Sequence, residues 1–370
     1  MRGAGRAIAR IDLAAIRHNA AVLARAAGPA ELMAVVKADA YGHGAVPAAR
    51  AALEGGARRL AVATVEEAEE LRAAGIAAPI LVMGPLLGDE AARALAAGAE
   101  IVAWTPEMCR LAAEARPGEA RIHLKLDTGM GRLGARPEDV ADLVAAAARP
   151  DLTVVGLMTH FATADAVEGD DAAFFREQLL RFRAAAAQIR DRFPEARLHA
   201  ANSAAVLRGP DARLDMVRCG IALYGCSPFG RHPGEHGLRP AMRWTSYLAI
   251  VKRLSSRESV GYGRTWRAAR GTHVAVVPVG YADGYARCLS NRGQVLVGGR
   301  RAPVAGTISM DQLTIDLGPE STDRVGDEVV LLGAQDGEEI TAEEIAAWRG
   351  TINYEVTCAV GARVRRIHAG

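Results

Sequence analysis

Eight short, unbroken apolar runs alternate with segments that start and stop like helices across the first two-thirds of the chain. No other feature limits the fold as strongly. The runs are Leu32–Lys37, Arg59–Thr64, Pro79–Gly84, Glu100–Thr105, Arg121–Asp127, Leu152–His160, Arg197–Asn202 and Arg213–Gly220. Such runs suit strands buried on both faces, as in a parallel sheet. Thr64 with Glu67 forms a capping box before EEAEELRAAG, which ends on Gly75. Thr105 followed by Pro106 reads as an N-cap and first helical position, and an amphipathic helix is expected from Asp171 toward Pro194. Eight alternations over roughly 220 residues predict a (β/α)8 barrel of the TIM type. A doubly wound open sheet is the alternative, and it is disfavoured because no GxGxxG follows the first strand.

After about Pro240 the texture changes. SYLAIVKRL, THVAVVPVG, QVLVGG, LTIDLG and EVVLLG are separated by Gly, Asp and Asn turns, with one clear helix near Glu343–Trp348. The expected organisation is therefore a barrel over residues 10–238 and a mostly β domain over 239–370, with residues 1–9 free to join the latter. A chain of 370 residues leads to the same count of about two domains.

Composition narrows the function classes. The net charge of +2 is spread over both signs, with no basic stripe for nucleic acid. Five scattered cysteines without CxxC pairs fit neither a disulfide framework nor a zinc site, and no metal is expected. There is no secretion signal and no uncharged apolar run long enough to span a bilayer, so the cytoplasm is the expected location.

Barrel chemistry sits where strands end and the following loops begin. Those positions hold Lys37, Lys125 with Asp127 and Arg132, His160, Asn202 with Ser203, and Arg218. Singly, each has a bland reading: a strand-ending lysine snorkels, a lone histidine is hydrogen-bonded structure, and Lys125, Asp127 and Arg132 form an ion-pair network. Their shared placement is harder to explain so, because buried polar groups cost stability. The residues alone point to a barrel enzyme with a nucleophilic or Schiff-base lysine and arginines suited to carboxylate or phosphate, without choosing the reaction.

AVVKADAYGHG (Ala34–Gly44) resembles the cofactor-lysine signature of the alanine racemases, pyridoxal-phosphate enzymes built from a barrel and a β domain. The likeness continues in order through HLKLDTGMGRLG (His123–Gly134), GLMTHFATAD (Gly156–Asp165), HAANSAA (His199–Ala205), VRCGIALYG (Val217–Gly225), GYGRTW (Gly261–Trp266), VGYADGY (Val279–Tyr285), ISMDQLTIDLG (Ile308–Gly318) and INYEV (Ile352–Val356). The resemblance implies that Lys37 is the Schiff-base lysine for pyridoxal 5'-phosphate. It implies that Tyr41, Ser203, Gly220, Ile221 and Tyr354 surround the phosphate, that Arg218 faces the pyridine nitrogen, and that His160 belongs to the cofactor network. Arginine stays charged, so Arg218 cannot hand the ring a proton.

Racemisation removes a proton from one face of Cα and returns it to the other, so two bases are needed. The resemblance implies Lys37 for one and Tyr262, from the partner subunit of a head-to-tail homodimer, for the other. It implies substrate-carboxylate contacts from Arg132 and from the Met310 backbone, and Tyr281 at the entrance. Lys125 matches a lysine often carbamylated in relatives. The substrates implied are L-alanine and D-alanine, with D-alanine destined for peptidoglycan; a racemase of another small amino acid such as serine is the alternative. A decarboxylase on the same architecture would carry an acidic residue where Arg218 stands, and a barrel-only carrier has no use for Tyr262. Two departures stand out. Ser309 occupies a position where many relatives have cysteine, near the pocket, and Asp39 replaces an asparagine, adding a charge near the cofactor.

Overall fold

The structure is a computed structural model that describes residues 5–370; residues 1–4, part of the segment free to join the β domain, lie outside the described residues. The chain opens with β1 (Ile8–Asp12) and proceeds through β2 (Glu31–Val35), β3 (Arg59–Val62), β4 (Ile80–Val82), β5 (Glu100–Ala103), β6 (Ala120–Lys125), β7 (Leu152–Met158), β8 (Arg197–His199) and β9 (Met216–Cys219). Strands β2 to β9 pair in parallel, each with the next, and β9 returns to β2 through Glu31↔Met216 to Ala34↔Cys219, closing an eight-stranded barrel. All eight apolar runs are its strands.

The helix signals act as the local chemistry requires. Thr64 and Glu67 satisfy each other's backbone N–H groups at the start of helix Val65–Ala73. Thr105 accepts from the Met108 N–H at the start of Pro106–Ala115. The long helix spans Gly169–Arg190, ending short of Pro194.

The C-terminal part is built of strands, as expected, but two details, the split of SYLAIVKRL and an added helix, differ from the sequence expectation. SYLAIVKRL is two strands, Met242–Tyr247 and Ile250–Leu254. Between them Leu248 N–H donates to Asp327 and Ala249 N–H to Val276, so consecutive amides commit to different sheets and the chain changes layer there. β1 inserts between Met242–Tyr247 (antiparallel) and Arg365–Ala369 (parallel), so the first strand of the chain completes the sheet of the last domain as far as Asp12. Asp12 then accepts from Ala15 N–H and starts helix Leu13–Ala27. Finally, a second helix, Asn353–Cys358, accompanies Ala342–Arg349. Asn353 donates to Ser227 O (2.7 Å) and Glu343 Oε1 (2.9 Å), and that same Glu343 oxygen accepts from Ser227 N–H (2.7 Å). This buried knot ties the second helix to the chain leaving the barrel.

Candidate active site

Immediately after β2 the backbone does something costly. Ala38, Asp39, Ala40 and Tyr41 all take φ between +51° and +55°, one turn of left-handed helix without a glycine. Each such residue costs roughly 1–2 kcal/mol, so the turn must be held from outside. Glu67 Oε1 accepts from Ala38 N–H (2.6 Å) while its other oxygen holds Ala63 and Thr64. The buried His43 ring donates from Nδ1 to Ala40 and Tyr41 carbonyls, and Asp39 Oδ1 accepts from Ala45 N–H. Asp39 is thereby a turn-closing residue. The turn places Lys37 and Tyr41, four residues apart, in the lining of one cavity of about 490 Å³ at the C-terminal ends of the barrel strands.

Four cations share that cavity: Lys37, Lys125, Arg132 and Arg218. None has a carboxylate salt-bridge partner among the described residues. Clustered, unneutralised cations are unfavourable unless an anion is to be bound. Burial, followed by the charge of Arg132, lowers the Lys37 amine from the ordinary lysine range. For Lys125 burial, then Arg218 and Arg132, bring it to about 8. Asp127 does not join these cations: it accepts N–H bonds from Gly129, Met130 and Gly131 and folds its own turn.

Arg218 is almost wholly buried, and its terminal nitrogens are committed. One donates to His199 Nδ1 and O (both 2.9 Å); the other reaches Thr159 O (2.7 Å), Ala200 O (3.1 Å) and His160 Nδ1 (3.3 Å). Its Nε is left for the cavity. Because a guanidinium only donates, His160 Nδ1 must accept, which leaves its proton on Nε2. Burial, then Arg218 and Lys125, hold His160 at about 3, so the ring is neutral.

Opposite these cations is a seat of a different kind. Ser203 Oγ accepts from Gly220 N–H (3.0 Å) and, more weakly, from Ala222 N–H (3.5 Å), and Ile221 opens the turn that follows. Tyr41 and Tyr354 face each other with ring centres 6.0 Å apart, and burial raises both hydroxyls well above the usual phenol range, keeping them protonated donors. A Cβ on Gly220 would come within 2.3 Å of the Tyr41 hydroxyl. Hydroxyl donors, backbone amides and a glycine that lets them converge fit a phosphate group. Gly220→Ala is therefore expected to weaken binding of a phosphate group at this seat by about 1–3 kcal/mol, checked by titrating the protein with inorganic phosphate.

The sequence-derived site residues thus fall into two groups. Lys37, Tyr41, Lys125, Arg132, His160, Ser203, Arg218, Gly220, Ile221 and Tyr354 line the one cavity. Tyr262, Tyr281 and Met310 do not; they lie on the β domain with 73 %, 42 % and 52 % of their surface exposed. Hydrogen bonds hold these three elements together: Tyr281 N–H donates to Ser309 O, Ala282 N–H to Met310 O, and the Thr307 hydroxyl to Tyr262 O. Ser309 turns its hydroxyl to the Gln312 backbone and closes a turn beside Met310.

Several residues escape sequence reasoning. Glu67 looks like an ordinary capping residue, yet its second oxygen holds the strained turn. Cys358 reaches the cavity only because helix Asn353–Cys358 is tied to the barrel. His123 and His199 lie inside HLKLDTGMGRLG and HAANSAA without an evident role; His123 shares a strand face with Lys125, two residues away, and that alternation is a usable signal.

A closed (β/α)8 barrel with a cationic, anion-seating cavity at its strand C-termini, followed by a β domain, defines a barrel enzyme for a small anionic ligand. Residues 11–228 match the alanine racemase N-terminal domain, and residues 241–368 match the alanine racemase C-terminal domain. The chain is 44% identical to the alanine racemase of Desulforamulus reducens, covering 98% of each chain. It is 45% identical to that of Symbiobacterium thermophilum, covering 98% of this chain and 97% of the other. The crystal structure of alanine racemase from D-cycloserine-producing Streptomyces lavendulae superimposes with a TM-score of 0.93 at 42% identity, over 100% of this chain and 98% of that one. The protein belongs to the alanine racemase family.

Proposed function

We propose that this protein interconverts L-alanine and D-alanine with pyridoxal 5'-phosphate, and that two copies of the chain complete each active site. The observation that carries this is the joint lining of one cavity by Lys37, Arg218 and the Tyr41–Ser203–Gly220 seat. When bound, the cofactor supplies the electron sink that lets the Cα proton of alanine leave.

The chain's own residues then have definite tasks. Lys37, made less basic by burial and Arg132, holds the cofactor and exchanges a proton at Cα from one face. Tyr262 of the partner subunit serves the other face, which agrees with its exposure here. His160 presents Nε2–H to an approaching phenolic oxygen, and donating to that oxygen favours its ionised form. Arg218 offers Nε–H to the ring nitrogen and, remaining charged, transfers no proton. Arg132 and the Met310 backbone take the substrate carboxylate, while Tyr354 and Tyr281 limit the side chain to alanine size. A cytoplasmic location and supply of D-alanine for peptidoglycan complete the reading; among the described residues no helix is long and apolar enough to cross a membrane.

The direct test is circular dichroism of purified holoenzyme supplied with each alanine enantiomer and with L-serine and larger L-amino acids. Loss of optical activity for both alanine enantiomers, and little for the others, is expected; no change with alanine would overturn the reading.

Lys125 is proposed to carry a carbamate. Its amine, brought to about 8, attacks CO2, forming an N–C bond as one C=O π bond becomes the carbamate oxyanion and the nitrogen releases one proton, and the new anion would offset the Arg218 and Arg132 charges that act on the amine. A lowered amine pKa enlarges the reactive neutral fraction, so occupancy should fall as pH drops below about 8. A carbamate carbon signal from protein equilibrated with 13C-bicarbonate, missing in Lys125→Ala, is the expected result.

A further inference from the structure

Barrel interiors are ordinarily filled by branched apolar side chains. Here a line of polar groups runs along the interior from the start of β5 to Arg218 on β9. Glu100 Oε2 meets His123 Nε2 at 2.8 Å, His123 Nδ1 meets His199 Nε2 at 2.8 Å, and His199 Nδ1 meets Arg218 at 2.9 Å. Both imidazoles are fully buried and cross edge-on, with ring centres 4.9 Å apart.

The barrel is shaped to admit them. Pairing between β6 and β7 skips a residue, passing from Ile122↔Val154 to His123↔Gly156. This bulge turns Gly156 toward His123, where any Cβ would come within 2.1 Å of Nδ1. A side chain at residue 156 and an imidazole at residue 123 cannot coexist in this packing.

Hydrogen-bond chemistry allows one arrangement of protons. Arg218 only donates, so His199 Nδ1 accepts and its proton lies on Nε2. That proton goes to His123 Nδ1, which leaves the His123 proton on Nε2, directed at the Glu100 carboxylate. An imidazolium at either position would set two N–H groups against each other at His199 or at Arg218. Burial favours the neutral rings and lowers both imidazoles, His199 strongly. Burial alone would raise the Glu100 carboxyl, but His123, Arg59 and Arg121 outweigh it and leave it at about 2, an ionised acceptor.

We infer that Glu100, His123 and His199 form a one-way hydrogen-bonded relay that positions Arg218 from inside the barrel. The inference rests on the proposed role of Arg218 toward the cofactor ring. These three are positioning residues: none lines the cavity. Their fixed polarity makes His199 Nδ1 a permanent acceptor, so the guanidinium cannot rotate to withdraw Nε–H from the ligand. Unlike a single carboxylate partner, the relay keeps formal negative charge away from the cavity, at the far end of the barrel.

Neutron diffraction of deuterium-exchanged holoenzyme tests the direction. Deuterons on Nε2 of both His123 and His199, with none on Nδ1, are expected; a deuteron on either Nδ1 overturns the relay. The function is tested with His123→Phe and His123→Gln. Glutamine can still accept from His199 and donate to Glu100, whereas phenylalanine can do neither. His123→Phe should lower kcat about tenfold or more in both directions and shift the cofactor's visible band. KM for alanine should stay within about threefold, and His123→Gln should recover most of kcat. Wild-type kcat and spectrum in folded His123→Phe, or equal losses in both variants, overturn the positioning role. If His123→Phe does not fold, the deuteron positions and His123→Gln decide, since the latter must keep most of the wild-type kcat. Failure of the wild-type chain to bind pyridoxal phosphate would instead sink the proposed function, while apo-protein crystals would still report the deuterons.

Discussion

Lys37→Ala is expected to lack the visible absorption band proposed for the wild-type protein with pyridoxal 5'-phosphate, and to lower racemisation of both alanine enantiomers by at least about 10³-fold. The expected loss is large because, in the proposed reading, one amine serves twice, as the group that holds the cofactor and as a base at Cα. A second lysine in the same cavity makes the experiment discriminating. Lys125 is also largely buried and is brought to about 8, so it is a chemically credible competitor. Borohydride reduction of the holoenzyme followed by peptide mapping should find the cofactor on the peptide that contains Lys37. An adduct on Lys125, or a band that persists in Lys37→Ala, would move the centre of the site to β6. What favours Lys37 is its neighbour: the left-handed turn that follows it brings Tyr41 into the same cavity, beside Gly220.

The second large effect concerns Tyr262. Tyr262→Phe should leave cofactor binding intact and slow racemisation of both alanine enantiomers, because in the proposed reading turnover in either direction needs a base on each face of Cα; solvent exchange of the Cα proton should be lost for L-alanine more than for D-alanine. Shared sites predict a further result. Lys37→Ala and Tyr262→Phe proteins, each nearly inactive, should regain activity when mixed and allowed to exchange subunits. Half the dimers are then mixed and each mixed dimer holds one intact site, so recovery should approach about a quarter of wild-type activity. No recovery, with exchange shown by native mass spectrometry, would place both bases on one chain. The exposure of Tyr262, Tyr281 and Met310, held together on one face of the β domain yet outside the Lys37 cavity, is the reason to expect complementation.

Much of the fold was legible because burial on both faces leaves a plain mark: eight apolar runs became eight barrel strands, and Thr64 and Thr105 start helices as their chemistry requires. The misjudged places are those where a choice between partners lies far away in sequence. SYLAIVKRL reads as one strand, since nothing local reveals that Leu248 bonds Asp327 while Ala249 bonds Val276. Helix Asn353–Cys358 was invisible because, at six residues, it depends on Glu343 and Ser227 rather than on its own propensity. Asp127 looked like an ion-pair partner because a carboxylate near Lys125 and Arg132 suggests one, whereas three backbone N–H groups claim it first.

The sequence by itself determined the barrel, the β-rich C-terminal part and the polar residues at the strand ends, because periodicity, capping and strand burial are local consequences of side-chain type. Tertiary structure alone decided which of those residues share a cavity and which stand apart. It made Glu67 the brace of a strained turn, tied Tyr354 to the barrel, and aligned Glu100, His123 and His199 behind Arg218. Those relations join residues as far as 126 positions apart, and only barrel closure and sheet exchange bring their hydrogen-bonding atoms within reach.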